Sequence, residues 1–409
     1  MPRTGLPVAG FARRIRAAED VEQWSRQQSP DTIAARSPLI LLGAPLRADD
    51  AHLDAAAHAI TIAGRTRPFA LAPRLPLNRS WFDASSAAFF SSRSLRVRAS
   101  IEGETVVAGT LWPEDFAFTG VPPRAPLPSD RTPAVALRAL MREDPRGGAE
   151  LPFAAHGIWQ RAGWSGDWKD KPVLAVIVNG AQGDDDEAWG GHFAIATGRT
   201  SGRGAIADLI VDNFYTLDLF SEKGILAAPV PLDAYLGDLN RGQAWYRPSF
   251  VLIAALASDA VLALVQGGFN RVYRQLWRHQ LSYRHSTMNC AGVSVDVLRA
   301  LGLPVRSRMP ERRWRAWFAL PSATLTQRSL AKGRMACEYF AEDLTRLLPA
   351  AAFEEVGATL LALADERKRG AADRHGQSST GRGGLSAGRN GLLAGLLARD
   401  MEAIALLHI

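Results

Sequence analysis

The chain has 409 residues, of which 47% are hydrophobic and 22% charged, with a formal net charge of +7. This composition excludes a disordered protein and is sufficient for more than one domain. Two cysteines, Cys290 and Cys337, are too few for a disulfide framework or a cysteine-based zinc site. The sequence predicts neither a metal nor a cofactor. Because no nucleic-acid motif accompanies the scattered arginines, no specific nucleic-acid partner is expected.

Shifts in composition and hydrophobic pattern divide the chain into predicted regions. In order they are an N-terminal arm (1–36), a mixed β-rich domain (37–150), a central domain (151–310), a helical extension (311–368), a flexible linker (369–391) and a C-terminal amphipathic helix (392–409). The linker is predicted from its glycine, serine and arginine content. The last helix is predicted from leucines and isoleucine at helical spacing.

The N-terminal region carries helix and hairpin signals. Asp49 and Asp50 are predicted to open a helix that runs to Ile62. From Leu95 to Trp112 apolar and polar residues alternate around a turn at Gly103, which predicts a hairpin with one buried face. Thr132 and Pro133 provide the N-cap and first-turn chemistry of a helix that ends near Arg142.

Three β-branched or apolar runs in the central domain predict strands at 173–180, 192–198 and 206–215. Their short connections favour an antiparallel sheet. Residues 232–281 are predicted to be mostly helical. Their longest apolar run, 250–265, is too short to span a bilayer and carries a charge.

Two charged stretches have a general and a specific interpretation. The acidic run 184–187 does not match the spacing of a calcium loop, so a solvated loop is favoured over a metal site. The basic, tryptophan-containing stretch 311–317 favours a helix with cation–π packing. Peripheral contact of that stretch with an anionic lipid surface or acidic polymer is the alternative.

The stretch 283–303 is predicted to deliver a cysteine into the first turn of a helix. Val293 and Val297 lie on one apolar stripe, and Gly302 supplies the stop signal. Asn289 or Thr287 can cap the start. Cys290 would then lie at the positive end of the helix dipole, where a thiol has a lowered pKa and is a better nucleophile. The alternative is that Cys290 is a small buried apolar residue.

A nucleophilic cysteine needs a base, and His192 is the favoured candidate. It begins an apolar strand directly after two glycines, which allow close approach of backbone or ligand. His285 competes for the role, but it lies on the loop that runs into the cysteine helix. A structural histidine at a strand edge is the alternative interpretation of His192.

The sequence GHFAIATG at 191–198 resembles the histidine strand of the NlpC-type papain-like hydrolases and the lecithin:retinol acyltransferase group, with Ala194 in place of a glycine. Asn289-Cys290, followed by a helix that ends in LRALGL, resembles the motif of the circularly permuted branch, in which the histidine also precedes the cysteine. The resemblance covers roughly residues 170–303. It implies a papain-like core in which an antiparallel sheet packs on the cysteine helix.

The resemblance also implies a third catalytic residue on the next strand, which orients the histidine. The candidates are Asp212 and Asn213. Because side chains alternate along a strand, the number of residues in the loop between the two strands decides which candidate shares a face with His192. An odd number favours Asp212, and an even number favours Asn213. Asp212 is preferred, since a carboxylate stabilises an imidazolium better. The oxyanion hole is expected to use the Cys290 backbone N–H and the Tyr283 side chain.

The sequence therefore predicts an α+β protein with a permuted papain-like core, a β-containing N-terminal region and a helical C-terminal extension. The expected activity is a cysteine hydrolase or acyltransferase. Its partner is an amide- or ester-bearing substrate such as a peptidoglycan peptide or lipid acyl group. The alternative is a non-catalytic binding or scaffold protein. The N-terminus lacks an apolar run of signal-peptide length, which predicts the cytoplasm, with the cell envelope as the alternative.

Overall fold

The computed structural model describes residues 10–30, 33, 46–72, 84–118, 120–123, 130–143, 153–179, 191–216, 225–236, 249–278, 280–281, 283–284, 286–311, 314–376 and 391–409. The chain is α+β and forms two compact units, each assembled from separate stretches. The first unit comprises Met1–Leu39, Phe214–Ala227 and Asp259–Asp400. The second comprises Ile40–Asn213, Ala228–Ser258 and Met401–Ile409.

The first unit contains most of the helices. They are α1 (Gly10–Ser25), α5 (Ala260–Trp277), α6 (Cys290–Ala300), α7 (Arg315–Thr326), α8 (Leu330–Ala341), α9 (Leu344–Leu347), α10 (Pro349–Gly376) and α11 (Leu392–Asp400). Helices α5 and α6 approach closely at Gly268, where an added Cβ would lie 3.1 Å from Val297 and 3.2 Å from Leu301. Arg271 of α5 donates two hydrogen bonds of 2.9 Å to Asp20 of α1.

The second unit begins with a closed five-stranded barrel in the order β1-β2-β3-β5-β4. The strands are β1 (Leu46–Asp54), β2 (Ala59–Ile62), β3 (Arg65–Leu71), β4 (Leu95–Glu102) and β5 (Thr105–Pro113). Helices α2 (Ala84–Ser91) and α3 (Pro133–Glu143) belong to the same unit. Apolar side chains such as Leu53, Val97 and Leu111 fill the barrel core.

Most of a seven-stranded sheet belongs to the second unit, and its strand order is β10-β9-β8-β7-β11-β12-β6. Its strands are β6 (Ala154–Gln160), β7 (Pro172–Asn179), β8 (His192–Arg199), β9 (Ile210–Thr216), β10 (Ile225–Pro231), β11 (Ser249–Leu256) and β12 (Met401–His408). The pairings from β9 through to β6 are antiparallel. Alternate residues of the strands, including Ala175, Ala194 and Ile253, form a core with Trp112 and the short helix α4 (Leu232–Leu236).

Two local predictions for the N-terminal region are confirmed and one is wrong. The predicted hairpin is β4 and β5, which turn at Gly103 with a φ of 63°. The helix predicted from Thr132 is α3. The helix predicted from Asp49 to Ile62 is instead β1 and β2. A bulge between Ala48 and Ala51 interrupts the period-two pattern of β1, so its alternation could not be recognised.

Three further predictions are partly wrong, because they misplace a boundary or take a strand for a helix. The described part of 232–281 contains α4 and α5, as predicted, but Ser249–Leu256 forms β11 in the middle of the sheet and is not helical. The predicted linker begins too early, since α10 continues to Gly376. The predicted C-terminal helix ends at Asp400, and residues from Met401 form β12. Among the described residues, the structure has no helix that is both long and apolar enough to cross a membrane.

Candidate active-site residues

Cys290 is the first residue of α6, as the sequence predicts. The side chain of Asn289 caps the helix, because its Oδ1 accepts the Gly292 N–H at 2.8 Å. Its Nδ2 donates to the Leu347 carbonyl at 2.8 Å, so the cap is also tied to α9. The Cys290 residue is 5% exposed.

The loop before α6 places Tyr283 beside Cys290. Arg284 and Met288 form an antiparallel bridge, with backbone hydrogen bonds of 3.2 and 2.8 Å between them. This turn brings the Tyr283 hydroxyl to 3.2 Å from the Cys290 backbone nitrogen, whose N–H it accepts. The two groups expected to form the oxyanion hole are therefore hydrogen-bonded to each other.

A buried arginine that the sequence analysis missed fixes the start of α6. Arg346 is 7% exposed, pairs with Asp296 of α6 at 2.7 Å and also pairs with Glu342. It donates to the Thr287 carbonyl in the cysteine loop at 3.0 Å. The carboxylates stabilise the guanidinium and raise the pKa of Arg346, although burial acts in the opposite direction and is the largest single influence. No local sequence pattern indicates this contact, because Arg346 comes from α9.

His192 opens β8 in the second unit, and its side chain contacts Asn213. The His192 Nε2 lies 3.0 Å from the Asn213 Oδ1. Because an amide oxygen only accepts, Nε2 carries the proton in this hydrogen bond and Nδ1 has a lone pair. With the amide oxygen as acceptor, Nδ1 is the ring nitrogen that can take a proton.

Asp212, the preferred orienting residue, lies on the other face of the sheet. Ile195 pairs with Asp212 in the β8–β9 register, so Asp212 and His192 are on opposite faces and Asn213 shares the face of His192. The loop from 200 to 209 has an even number of residues, which is the parity that favours Asn213. Asp212 is fully buried.

Two polar residues absent from the sequence analysis complete the surroundings of His192. Asn179, at the end of β7, pairs directly with His192 in the sheet register. The Tyr235 hydroxyl donates to the Asn179 Oδ1 at 3.1 Å, and the Tyr235 ring centre is 5.9 Å from that of His192. Aligning the strand that ends in Asn179 against the strand that begins with His192 could have indicated Asn179, but nothing local indicates Tyr235.

Burial dominates the electrostatics of His192. The residue is 6% exposed, and loss of hydration lowers the pKa of its imidazole to about 3, although the hydrogen bond to Asn213 acts in the opposite direction. The ring is therefore neutral at pH 7. A neutral imidazole can accept a proton, and a negative charge formed beside it would raise its pKa.

The remaining predicted features lie elsewhere. Cys337 is a free, partly exposed cysteine on α8. His285, the competing base, and the acidic run 184–187 fall outside the described residues. Within the described part of the chain, His, Cys, Asp and Glu residues form no group that could hold a metal ion.

Comparison with protein-family models, curated proteins and solved structures finds no match to this chain.

Proposed function

We propose that the chain is a cysteine hydrolase or acyltransferase with a permuted papain-like core, and that it acts on an amide or ester bond. Cys290 attacks the carbonyl carbon, His192 accepts the thiol proton at Nδ1, and Asn213 holds the imidazole through Nε2. The hydrogen bond between His192 Nε2 and Asn213 Oδ1 is the observation that carries the proposal. A hydrogen bond at Nε2 would orient the ring and leave a lone pair on Nδ1 for the proton of a nucleophile.

The groups around Cys290 support the same proposal. Attack on the carbonyl forms the C–S bond and places negative charge on the carbonyl oxygen. In this structure the Cys290 N–H donates to the Tyr283 hydroxyl at 3.2 Å. During the reaction this N–H would exchange that acceptor for the carbonyl oxygen, and the hydroxyl would donate to the same oxygen. His192 then returns its proton to the leaving amine or alcohol. Water or a second acyl acceptor releases the acyl group from Cys290.

Alkylation kinetics test the proposal in a Cys337→Ser background, where Cys290 is the one remaining thiol. We expect iodoacetamide to label Cys290 at mildly acidic pH. His192→Gln is expected to lower the labelling rate at neutral pH by about tenfold or more. His408→Gln is the matched control, because His408 is also a buried strand histidine. Equal rates in both variants and in the parent would remove His192 from the mechanism.

A non-catalytic binding or scaffold protein is the second candidate, and the burial of His192 favours it. The ring lies on the sheet face that carries the core of its own unit, beside Tyr235. A histidine in that position can be retained for packing alone. This function predicts that Cys290 in the Cys337→Ser chain labels no faster than Cys337 in a Cys290→Ser chain, and that labelling of Cys290 is insensitive to His192→Gln.

A further inference from the structure

Helices α7 and α8 form a hairpin in the first unit that leaves large apolar side chains in solvent. The exposed fractions are 84% for Trp317, 77% for Leu325, 65% for Phe318 and 59% for Trp314. Exposed aromatic residues at this density are unusual for a monomeric surface and indicate a contact with something apolar.

The exposed residues of α7 form one continuous stripe. The N-cap Trp314 and the α7 residues Trp317, Phe318, Pro321 and Leu325 occupy positions i, i+3, i+4, i+7 and i+11, which places them on one helix face. The Trp314 and Phe318 rings pack edge to face, with centroids 5.9 Å apart. The stripe is thus a formed surface and not a set of isolated exposed residues.

The packing of the hairpin explains why this stripe stays outside. Helix α8 approaches α7 through buried Gly333, where an added Cβ would lie 2.6 Å from the Leu320 carbonyl oxygen and would collide with the Thr324 hydroxyl. Among α7 residues, Ala316 is buried. Because the contact between the helices uses small residues, the large apolar side chains are directed away from it.

The same hairpin carries exposed basic residues. Residues 314–341 contain Arg315, Arg328, Lys332 and Arg334 against the single acid Glu338, a net charge of 4 − 1 = +3. The four basic residues are exposed, whereas Glu338 accepts a hydrogen bond from Ser286 at 2.6 Å. A surface with tryptophan, phenylalanine and leucine beside arginine and lysine has the chemistry of a membrane-interface helix.

We propose that the α7–α8 hairpin binds the surface of an anionic lipid bilayer. The apolar stripe enters the boundary between headgroups and acyl chains, and the basic residues contact lipid phosphates. Helix α7 has 12 residues and is roughly 18 Å long, so it lies along the interface and does not span the bilayer. A second copy of the chain is disfavoured as the binding partner of the stripe, because two positively charged hairpins repel each other.

Vesicle flotation with the full chain tests this inference. We expect the protein to float with phosphatidylcholine vesicles that contain roughly 30 mol% phosphatidylglycerol and to remain unbound with phosphatidylcholine alone. Trp317→Ala combined with Leu325→Ala should lower partitioning by about tenfold or more. Arg328→Glu should lower it by roughly fivefold or more, and added salt should act in the same direction.

Ile101→Ala is the matched control, because Ile101 of the barrel is 50% exposed and lies outside the hairpin. It should bind vesicles like the parent chain. Circular dichroism should show unchanged helix content in every variant, since the replaced side chains are exposed. Equal flotation of the double variant and the parent would overturn the inference. So would an absence of binding combined with concentration-dependent dimerisation that the double variant abolishes, because the stripe would then join two copies.

Discussion

At the scale of single residues, the His192 region is a buried polar group within an apolar core. His192 and Asn213 bond to each other, and Tyr235 bonds to Asn179. Buried polar side chains are costly unless hydrogen-bonded, so the two contacts offset the loss of hydration. The cost of a charge here is greater, which is why the pKa of His192 is lowered to about 3.

The lowered pKa predicts how stability depends on pH. In the unfolded chain an imidazole binds a proton below about pH 6.5, whereas folded His192 stays neutral down to about pH 3. The unfolded state therefore binds more protons in this window, and the free energy of unfolding falls as pH decreases from 6.5. His192→Gln should show a shallower decrease in urea titrations. Parallel curves for the two proteins would show that His192 does not titrate in this way.

At the scale of elements, α6 is fixed at its start by contacts from three directions. Asn289 caps the helix and donates a hydrogen bond to the Leu347 carbonyl. Arg346 donates to a carbonyl of the preceding loop, and the Tyr283 hydroxyl accepts the Cys290 N–H. These contacts hold the backbone at Cys290 in one position. Under the proposed function, this would lower the entropy cost of reaching the transition state.

Asn289→Ala should destabilise the protein by about 1–2 kcal/mol, because it removes the cap and a buried hydrogen bond to the Leu347 carbonyl. Ser329→Ala is the matched control, since Ser329 caps α8 through a longer 3.4 Å hydrogen bond to Lys332 that is exposed to solvent. We expect a smaller loss there. Urea midpoints measure both, and an equal or larger effect of Ser329→Ala would contradict this account of α6.

The predictions that succeeded at this scale depend on contacts between near neighbours. The β4–β5 hairpin and the start of α6 are encoded in alternation, a turn glycine and an N-cap, all within a few residues. β11 was missed because a strand buried on both faces shows a continuous apolar run, and such a run does not distinguish a strand from a buried helix.

At the scale of the whole molecule, distant segments complete the sheet. β12 lies between β11 and β6, where Ala405 pairs with Ile253 and Gly157. The spacing of the leucines and the isoleucine within residues 393–407 is compatible with one continuous helix. It is equally compatible with a helix followed by a strand. The choice is made by tertiary pairing with β11, which the local sequence does not contain. The same limitation applies to Tyr235 and Arg346, which reach their sites from remote segments.

Ala405→Asp tests the position of β12. Ala405 is fully buried in the core of the second unit, so a carboxylate there should destabilise the protein by roughly 3 kcal/mol or more. Glu402→Gln, on the same strand and partly exposed, should cost less, because it alters one ion pair with Lys171. A change of less than about 0.5 kcal/mol for Ala405→Asp in urea titrations would place residue 405 outside the core.

The most direct test of the proposed catalytic pair is a chemical cross-link between thiol and imidazole. 1,3-Dibromoacetone alkylates a reactive cysteine and then a histidine nitrogen within a few ångströms of it. In the Cys337→Ser chain the proposed pair predicts a cross-linked peptide that joins Cys290 to His192, identified by mass spectrometry after digestion, and its loss in His192→Gln. Alkylation of Cys290 without a link to His192, or with a link to another histidine, would contradict the assignment of His192 as the base.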